Sequence, residues 1–225
     1  MKNKCLIVIE GLDGSGKSTQ FDLTLEKLKL SEKKIKGISF PDYKEDSSAL
    51  VRMYLGGEFG DKPGDVNAYA ASSFYAVDRY ASYKKHWEKE YNDGTVILCA
   101  RYATSNAIHQ MVKLDESQWK PYLDWLEDYE YVKLGLPVPD LVIFLDMPLE
   151  IIDQLLLKRY NGDESKKDLH ETDKKYLKKC RKAALFAAKY WSWKVISCAN
   201  SYGLLNIEEI NEKISKEIEE VSFLI

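Results

Sequence analysis

The sequence predicts an α/β fold, a five-stranded parallel sheet with helices on both faces and a lid. Three observations carry this prediction. Short runs of strand length and strand composition recur at residues 5–9, 36–41, 95–99, 140–145 and 193–197. Stretches with helical apolar spacing separate them, and strands alternating with helices pair in parallel. Residues 11–18 read Gly-Leu-Asp-Gly-Ser-Gly-Lys-Ser, which fits G-x-x-x-x-G-K-[ST] between the first strand and the first helix.

The first strand, 5–9, is a continuous apolar run that leads straight into the glycine-rich turn. The helix after it keeps Phe21, Leu25 and Leu28 on one side. Strand, glycine-rich turn and helix are the context in which this motif binds a nucleoside triphosphate. Its glycines let successive N–H groups turn inward around a phosphate, and the helix N-terminus adds its positive end. Gly11, Gly14, Ser15, Gly16, Lys17, Ser18 and Thr19 form the expected ATP cradle. Lys17 reaches the β- and γ-phosphates, and the Ser18 hydroxyl is the expected ligand of Mg²⁺. The fold is thereby expected to be the three-layer P-loop NTPase fold.

The second strand stops at Pro41. A helix follows at 47–55 and ends at Gly56-Gly57, and residues 60–64 are loop. From 66 to about 91 neither Pro nor Gly occurs, which predicts a long helix rich in aromatic residues that walls a pocket. Asn92-Asp93-Gly94 turns the chain into the third strand, 95–99, with Arg101-Tyr102 just beyond its end. Helices are expected at 103–112 and 116–132, the fourth strand at 140–145 and a helix at 149–158. The polar stretch from about 158 to 172 reads as a mobile lid. A helix at 174–190, the last strand and an amphipathic helix at 207–218 complete the chain. No linker divides the 225 residues, so they read as one domain. In such sheets the ligand sits beyond the carboxyl ends of the strands, so 11–18, Phe40-Pro41 and Arg101-Tyr102 should meet in one crevice.

Composition narrows the partners. A net charge of −3 provides no field for nucleic acid or an anionic membrane. Cys5, Cys99, Cys180 and Cys198 are far apart in sequence and read as core residues in a reducing cytosol. The five-residue apolar run near the N-terminus is too short for a signal peptide, and no 18-residue apolar span occurs elsewhere. A cytoplasmic location is expected. Trp119, Trp125, Trp191 and Trp193 read as packing residues.

The phosphate loop with Phe40-Pro41, Asp78-Arg79, Arg101-Tyr102-Ala103-Thr104-Ser105-Asn106 and Pro139-Asp140-Leu141 resembles the thymidylate kinase family, in order and spacing, over nearly the whole chain. The resemblance implies Mg²⁺-dependent transfer of the ATP γ-phosphoryl group to dTMP, in a homodimer formed through the long helices. It implies that Arg101 binds the acceptor phosphate, that Asp13 lies near Arg101 and the sugar 3′-hydroxyl, and that Arg79 hydrogen-bonds thymine. Phe74 or Tyr75 would stack on the base, with the family's spacing pointing to Tyr75. Phe40 and Pro41 would shape the pocket floor, Tyr102 would crowd the sugar 2′ position, and Ser105 and Asn106 would line the base edge. Residues 199–203, Asn200 among them, would lie beside adenine. Asp168-Leu169-His170-Glu171 resembles the family's acidic lid motif, and Arg181 the arginine of the next helix. Asp78 is expected to orient Arg79.

The chain departs from the family at two positions. Ala100 stands where the family usually has aspartate near the metal, so Mg²⁺ must rely on Ser18, phosphate oxygens and water, with Glu10 or Asp146 able to contribute through water. Tyr43 stands where many members have an arginine for the acceptor phosphate. The phosphate loop holds no basic residue at Gly14 or Ser15, which shifts the extra transition-state charge to the lid. Lys158, Arg159, Lys166 and Lys167 are its candidates, and Arg159 is preferred because a guanidinium bridges two oxygens. His109 falls at a position where the family usually has an aromatic residue. A monophosphate dianion needs no general base, consistent with the scattered His86, His109 and His170. The alternatives are a kinase of another deoxynucleotide or deoxynucleoside, and a nucleotide-binding protein with weak or no turnover. The absence of an N-K-x-D motif argues against a GTPase.

Overall fold

A computed structural model describes residues 4–30, 34–60, 62, 64–159 and 174–222. Most of the expected lid falls outside them, including Lys166, Lys167, Asp168, Leu169, His170 and Glu171, as do the side chains of Lys158 and Arg159.

Five strands form one sheet in the order β2-β3-β1-β4-β5: β1 (Cys5–Gly11), β2 (Ile35–Ser39), β3 (Val96–Ala100), β4 (Leu141–Asp146) and β5 (Lys194–Ser197). Every pairing among them is parallel, with Ile9 opposite Ala100 and Gly11 opposite Leu145. All residues of β1 and β3 are buried. Successive side chains of a strand point to opposite faces, so full burial requires helices on both sides. Helices α1 (Lys17–Lys29) and α9 (Ile207–Ser222) pack together, joined by Gln20 Nε2 donating to the Ile207 carbonyl at 2.9 Å and by Asn211 donating to Gln20 and Thr24. Helices α5 (Thr104–His109) and α8 (Lys174–Tyr190) also pack together, and the Tyr176 hydroxyl donates to the His109 carbonyl at 2.6 Å.

The remaining helices are α2 (Ala49–Leu55), α3 (Ala68–Ser82), α4 (Glu88–Asn92), α6 (Trp119–Glu127) and α7 (Leu149–Arg159). The long helix expected at 66–91 is one helical run interrupted by a π-turn at Tyr83–Trp87, and Asn67 caps its start by accepting from Ala70 N at 2.8 Å. A second π-turn, Asp128–Lys133, follows α6 within the stretch expected as plain helix. Such insertions cluster at functional sites, and this one brings Glu130 into the interior. The helix expected at 103–112 ends at His109 and continues as a short 3₁₀ turn, Met111–Lys113. A small antiparallel hairpin, β6 (Ala199–Asn200) and β7 (Gly203–Leu204), has no counterpart in the sequence reading.

All four cysteines are buried, and burial pushes the thiol of Cys198 up to about 12 and that of Cys99 well above its ordinary value. Trp119 and Trp193 are core residues, and Trp125 and Trp191 pack against the core. No helix among the described residues is long and apolar enough to cross a membrane.

Candidate active site

The carboxyl ends of β1, β2 and β3 open into a cavity of about 650 Å³. Its first wall is the phosphate loop, contributing residues 13–19. Gly14 and Gly16 both have φ of +77°, a left-handed conformation that turns the intervening N–H groups inward. Helix α1 then starts at the cavity with no acidic residue in its first turn to offset its positive end. Lys17 Nζ rests 3.3 Å from the Gly11 carbonyl oxygen, and the Ser15 hydroxyl is enclosed with no partner. A Cβ on Gly14 would lie 2.9 Å from Leu156 Cγ as well as forcing the left-handed conformation. Gly14→Ala is therefore expected to lower stability by about 1–2 kcal/mol and to weaken ATP binding. Thermal denaturation and nucleotide calorimetry check it.

The opposite wall is built around two guanidinium groups. Arg101, the first residue after β3, has φ of +65°, a strained conformation for a side-chain-bearing residue. That turn aims its guanidinium back at the phosphate loop, where it pairs with Asp13, while Nη1 lies 3.0 Å from His109 Nε2. Burial opposes its charge, and Asp13 and Glu10 overcome that to hold its pKa above the ordinary arginine value. Arg79, on α3, is fully enclosed and donates from Nε at 3.0 Å and from Nη2 to the Glu130 carboxylate. Its guanidinium also lies 5.6 Å from the Phe40 ring centre and 5.3 Å from that of Tyr102. Burial works against this charge too, but the Glu130 carboxylate outweighs it and raises the pKa.

Glu10 organises the turn between β3 and α5. Its buried carboxylate accepts from Tyr102 N at 3.2 Å, Thr104 Oγ1 at 2.6 Å and Ser105 Oγ at 2.9 Å. The Tyr102 hydroxyl donates to the Pro137 carbonyl at 3.0 Å, which pins its ring beneath Arg79. Phe40 and Pro41, joined by a cis peptide bond, cover the floor beside Tyr43.

The cavity brings together most of the residues singled out from the sequence. Asp13 and the phosphate loop face Phe40, Pro41, Tyr75, Arg79, Arg101 and Tyr102, with Ser105 and Asn106 beside them. Four of the residues singled out do not line the cavity. Phe74 does not line the cavity; it packs on Phe59 at 5.5 Å and Tyr54 at 6.3 Å, and its neighbour Tyr75 faces inward. Asn200 is exposed on the β6–β7 hairpin, where its side chain accepts from Tyr202 N at 2.8 Å. Gly11 ends β1, and its carbonyl oxygen contacts Lys17. Asp78 does not orient Arg79 either, since its carboxylate accepts from Asp42 N at 2.9 Å and Ser47 Oγ at 2.7 Å and so anchors the loop after β2. Arg159 ends α7, and its side chain lies outside the described residues. Glu130 and Gln110 were missed by sequence reasoning, and no local signal distinguishes them from ordinary polar helix residues.

The carboxylates near the phosphate loop are already engaged: Glu10 by the 102–105 turn, Asp13 by Arg101, and Asp146 by both Nε and Nη2 of Arg181. Among the described residues no cluster of three or more metal-binding side chains occurs. Ser18 lines the cavity, and its hydroxyl would suit a divalent cation that arrives with a triphosphate.

A phosphate loop facing a separate, guanidinium-lined acceptor pocket in one cavity defines a P-loop phosphotransferase. A family model described as thymidylate kinase matches residues 9–214, and the chain belongs to the thymidylate kinase family. It is 29% identical over 171 residues to the thymidylate kinase of Mycobacterium tuberculosis, covering 75% of this chain and 78% of that protein. It is 31% identical over 144 residues to the human thymidylate kinase, covering 64% of this chain and 61% of that protein. The solved structure of the Candida albicans thymidylate kinase superposes with a TM-score of 0.71 at 24% identity over 97% of this chain and 92% of that one, which shows the shared fold.

Proposed function

We propose that this single-domain enzyme transfers the γ-phosphoryl group of ATP to dTMP, forming dTDP for dTTP synthesis. The observation that carries the proposal is the Arg101–Asp13 pair, which joins the acceptor pocket to the phosphate loop across one cavity. The dTMP phosphate is a dianion and attacks without losing a proton, so the protein's task is alignment and charge neutralisation. Arg101 takes the acceptor phosphate, with Asp13 holding the guanidinium from the other side. Lys17 and the loop N–H groups hold the β- and γ-phosphates. Ser18 would hold Mg²⁺ together with phosphate oxygens, and the ion would supply positive charge to the transferring group. Tyr75 stacks on thymine, Arg79 and Asn106 read its edge, and Tyr102 fills the space a 2′-hydroxyl would need. Arg159 supplies the further transition-state cation.

Exposed apolar residues along α3, Tyr69, Val77 and Tyr80, support a homodimer through the long helices. Four buried cysteine thiols support a reducing, cytoplasmic setting.

The test is an ADP-release assay with ATP and Mg²⁺ against dTMP, dUMP, dCMP, dGMP and thymidine. dTMP should give the highest kcat/KM, and chelation of the metal should abolish turnover. ATP binding without turnover of any monophosphate overturns the proposal.

A further inference from the structure

We propose that Lys113, which stands outside the cavity, is a positioning residue that braces the aromatic wall of the acceptor pocket from behind, an assignment that rests on the function proposed above. Lys113 closes the 3₁₀ turn that continues α5. Its half-buried ammonium donates to the Tyr54 hydroxyl at 2.9 Å and to the Val66 carbonyl at 2.8 Å. It also lies 4.9 Å from the centre of the Tyr54 ring. Both contacts lead to α3. Val66 immediately precedes Asn67, the residue that caps that helix. The Tyr54 ring, on α2, meets Tyr75 of α3 edge-on, with ring centres 6.4 Å apart and an interplanar angle of 89°. Tyr75 lines the cavity, whereas Tyr54 and Lys113 do not. One ammonium thus joins the end of α5, whose Ser105 and Asn106 border the cavity, to the ring that backs the facing wall.

The surroundings of the ammonium are uncharged. Among the described residues no carboxylate pairs with Lys113. From α2 it is faced by the Tyr54 phenol, whose pKa burial raises to about 12, and from the segment before α3 by a carbonyl oxygen. The ionisable groups of the neighbouring segments are engaged elsewhere or point to water. Asp65 accepts from Lys62 N at 3.0 Å, Glu116 pairs with Lys182 of α8, and Asp115 is exposed. The Tyr176 hydroxyl of α8 donates to the His109 carbonyl. Burial, with no anion to oppose it, lowers the Lys113 pKa to about 8. The fold therefore keeps this charge against its own stability, and such groups concentrate where position serves function. Below that pH the ammonium holds the Tyr54 ring by its hydroxyl and its face together; above it, the attraction to the ring is lost.

The experiment measures kcat and the KM values for dTMP and ATP, at about pH 7 and about pH 9, for the full-length enzyme, Lys113→Met and Lys113→Arg. The acceptor phosphate is almost wholly a dianion through this range, so its own ionisation adds no large step. In the unmodified enzyme the KM for dTMP should rise about threefold as Lys113 loses its proton, with kcat and the KM for ATP little changed. Lys113→Met should raise the KM for dTMP about fivefold at both pH values, with no further rise between them. Lys113→Arg, charged throughout, should keep the low KM at both. Packing alone predicts neither the step nor its removal by arginine. A step that persists in Lys113→Arg belongs to another group and overturns the assignment. So does a Lys113→Met enzyme with an unchanged KM for dTMP, or one in which kcat and both KM values change together. If Lys113→Met folds poorly, the unmodified enzyme and Lys113→Arg decide the question between them. Absence of dTMP turnover in the unmodified enzyme is a separate result, which removes the functional reading and the assignment with it.

Discussion

Arg101→Ala is expected to lower kcat/KM for dTMP by about a thousandfold, or roughly 4 kcal/mol of transition-state stabilisation. The reason is positional. Arg101 is the cation that reaches the phosphate loop from the acceptor side, through its pair with Asp13. A monophosphate approaching the γ-phosphate of ATP brings two anionic groups together, and the guanidinium between them offsets that repulsion as the bond forms. Tyr43 occupies the place where a second acceptor arginine stands in many family members, so the loss should not be buffered. ATP affinity, measured by calorimetry, should change little, because Lys17, Ser18 and the loop N–H groups remain. Arg101→Lys should recover only part of the rate, since an ammonium restores charge without the planar fork. An Arg101→Ala enzyme with an undiminished rate would show that the acceptor phosphate is held elsewhere.

Glu130→Ala should produce the largest loss of stability of any single substitution at the site. It leaves the Arg79 guanidinium enclosed with no carboxylate, and removal of one partner from a buried ion pair costs about 3–5 kcal/mol. For a protein of this size that corresponds to a fall in melting temperature of roughly 6–20 °C. Thermal denaturation measures it directly. The KM for dTMP should rise more than the KM for ATP, because Arg79 lies in the acceptor half. Adding Arg79→Ala to Glu130→Ala should restore part of the lost stability, since the double variant buries no unpaired charge. A melting temperature within 2 °C of the unmodified protein for Glu130→Ala would mean that Arg79 finds another partner or water.

The sheet was legible because buried parallel strands advertise themselves. Runs such as Leu-Ile-Val-Ile at 6–9 and Leu-Val-Ile-Phe-Leu at 141–145 have no polar face, and only a strand covered on both sides uses such a run. Strand boundaries moved by one or two residues, which places Ala100 inside β3 and leaves Arg101 just past its end as expected. The π-turns were not legible. They change one hydrogen-bond step without altering the apolar spacing that marks the helix. The family's spacing pointed to Tyr75 over Phe74, and Tyr75 is the one that lines the cavity, as neighbouring residues on a helix differ by about 100° in direction. Phe74 packs instead on Phe59.

The sequence by itself determined the phosphate-binding chemistry, because a P-loop is local. Eight consecutive residues contain the glycines, the lysine and the hydroxyl, and the flanking strand and helix are written next to them. Through the family resemblance it also singled out Arg79 and Arg101, with Asp13 beside Arg101 but without the partner of Arg79. Only the tertiary structure decided that Arg79 is locked by Glu130, 51 residues away, that Glu10 ties down the 102–105 turn, and that Asp78 anchors the loop after β2. Partners so distant in sequence leave no periodic trace, and a buried charge is indistinguishable from a surface one until the fold shows which side of the helix meets water.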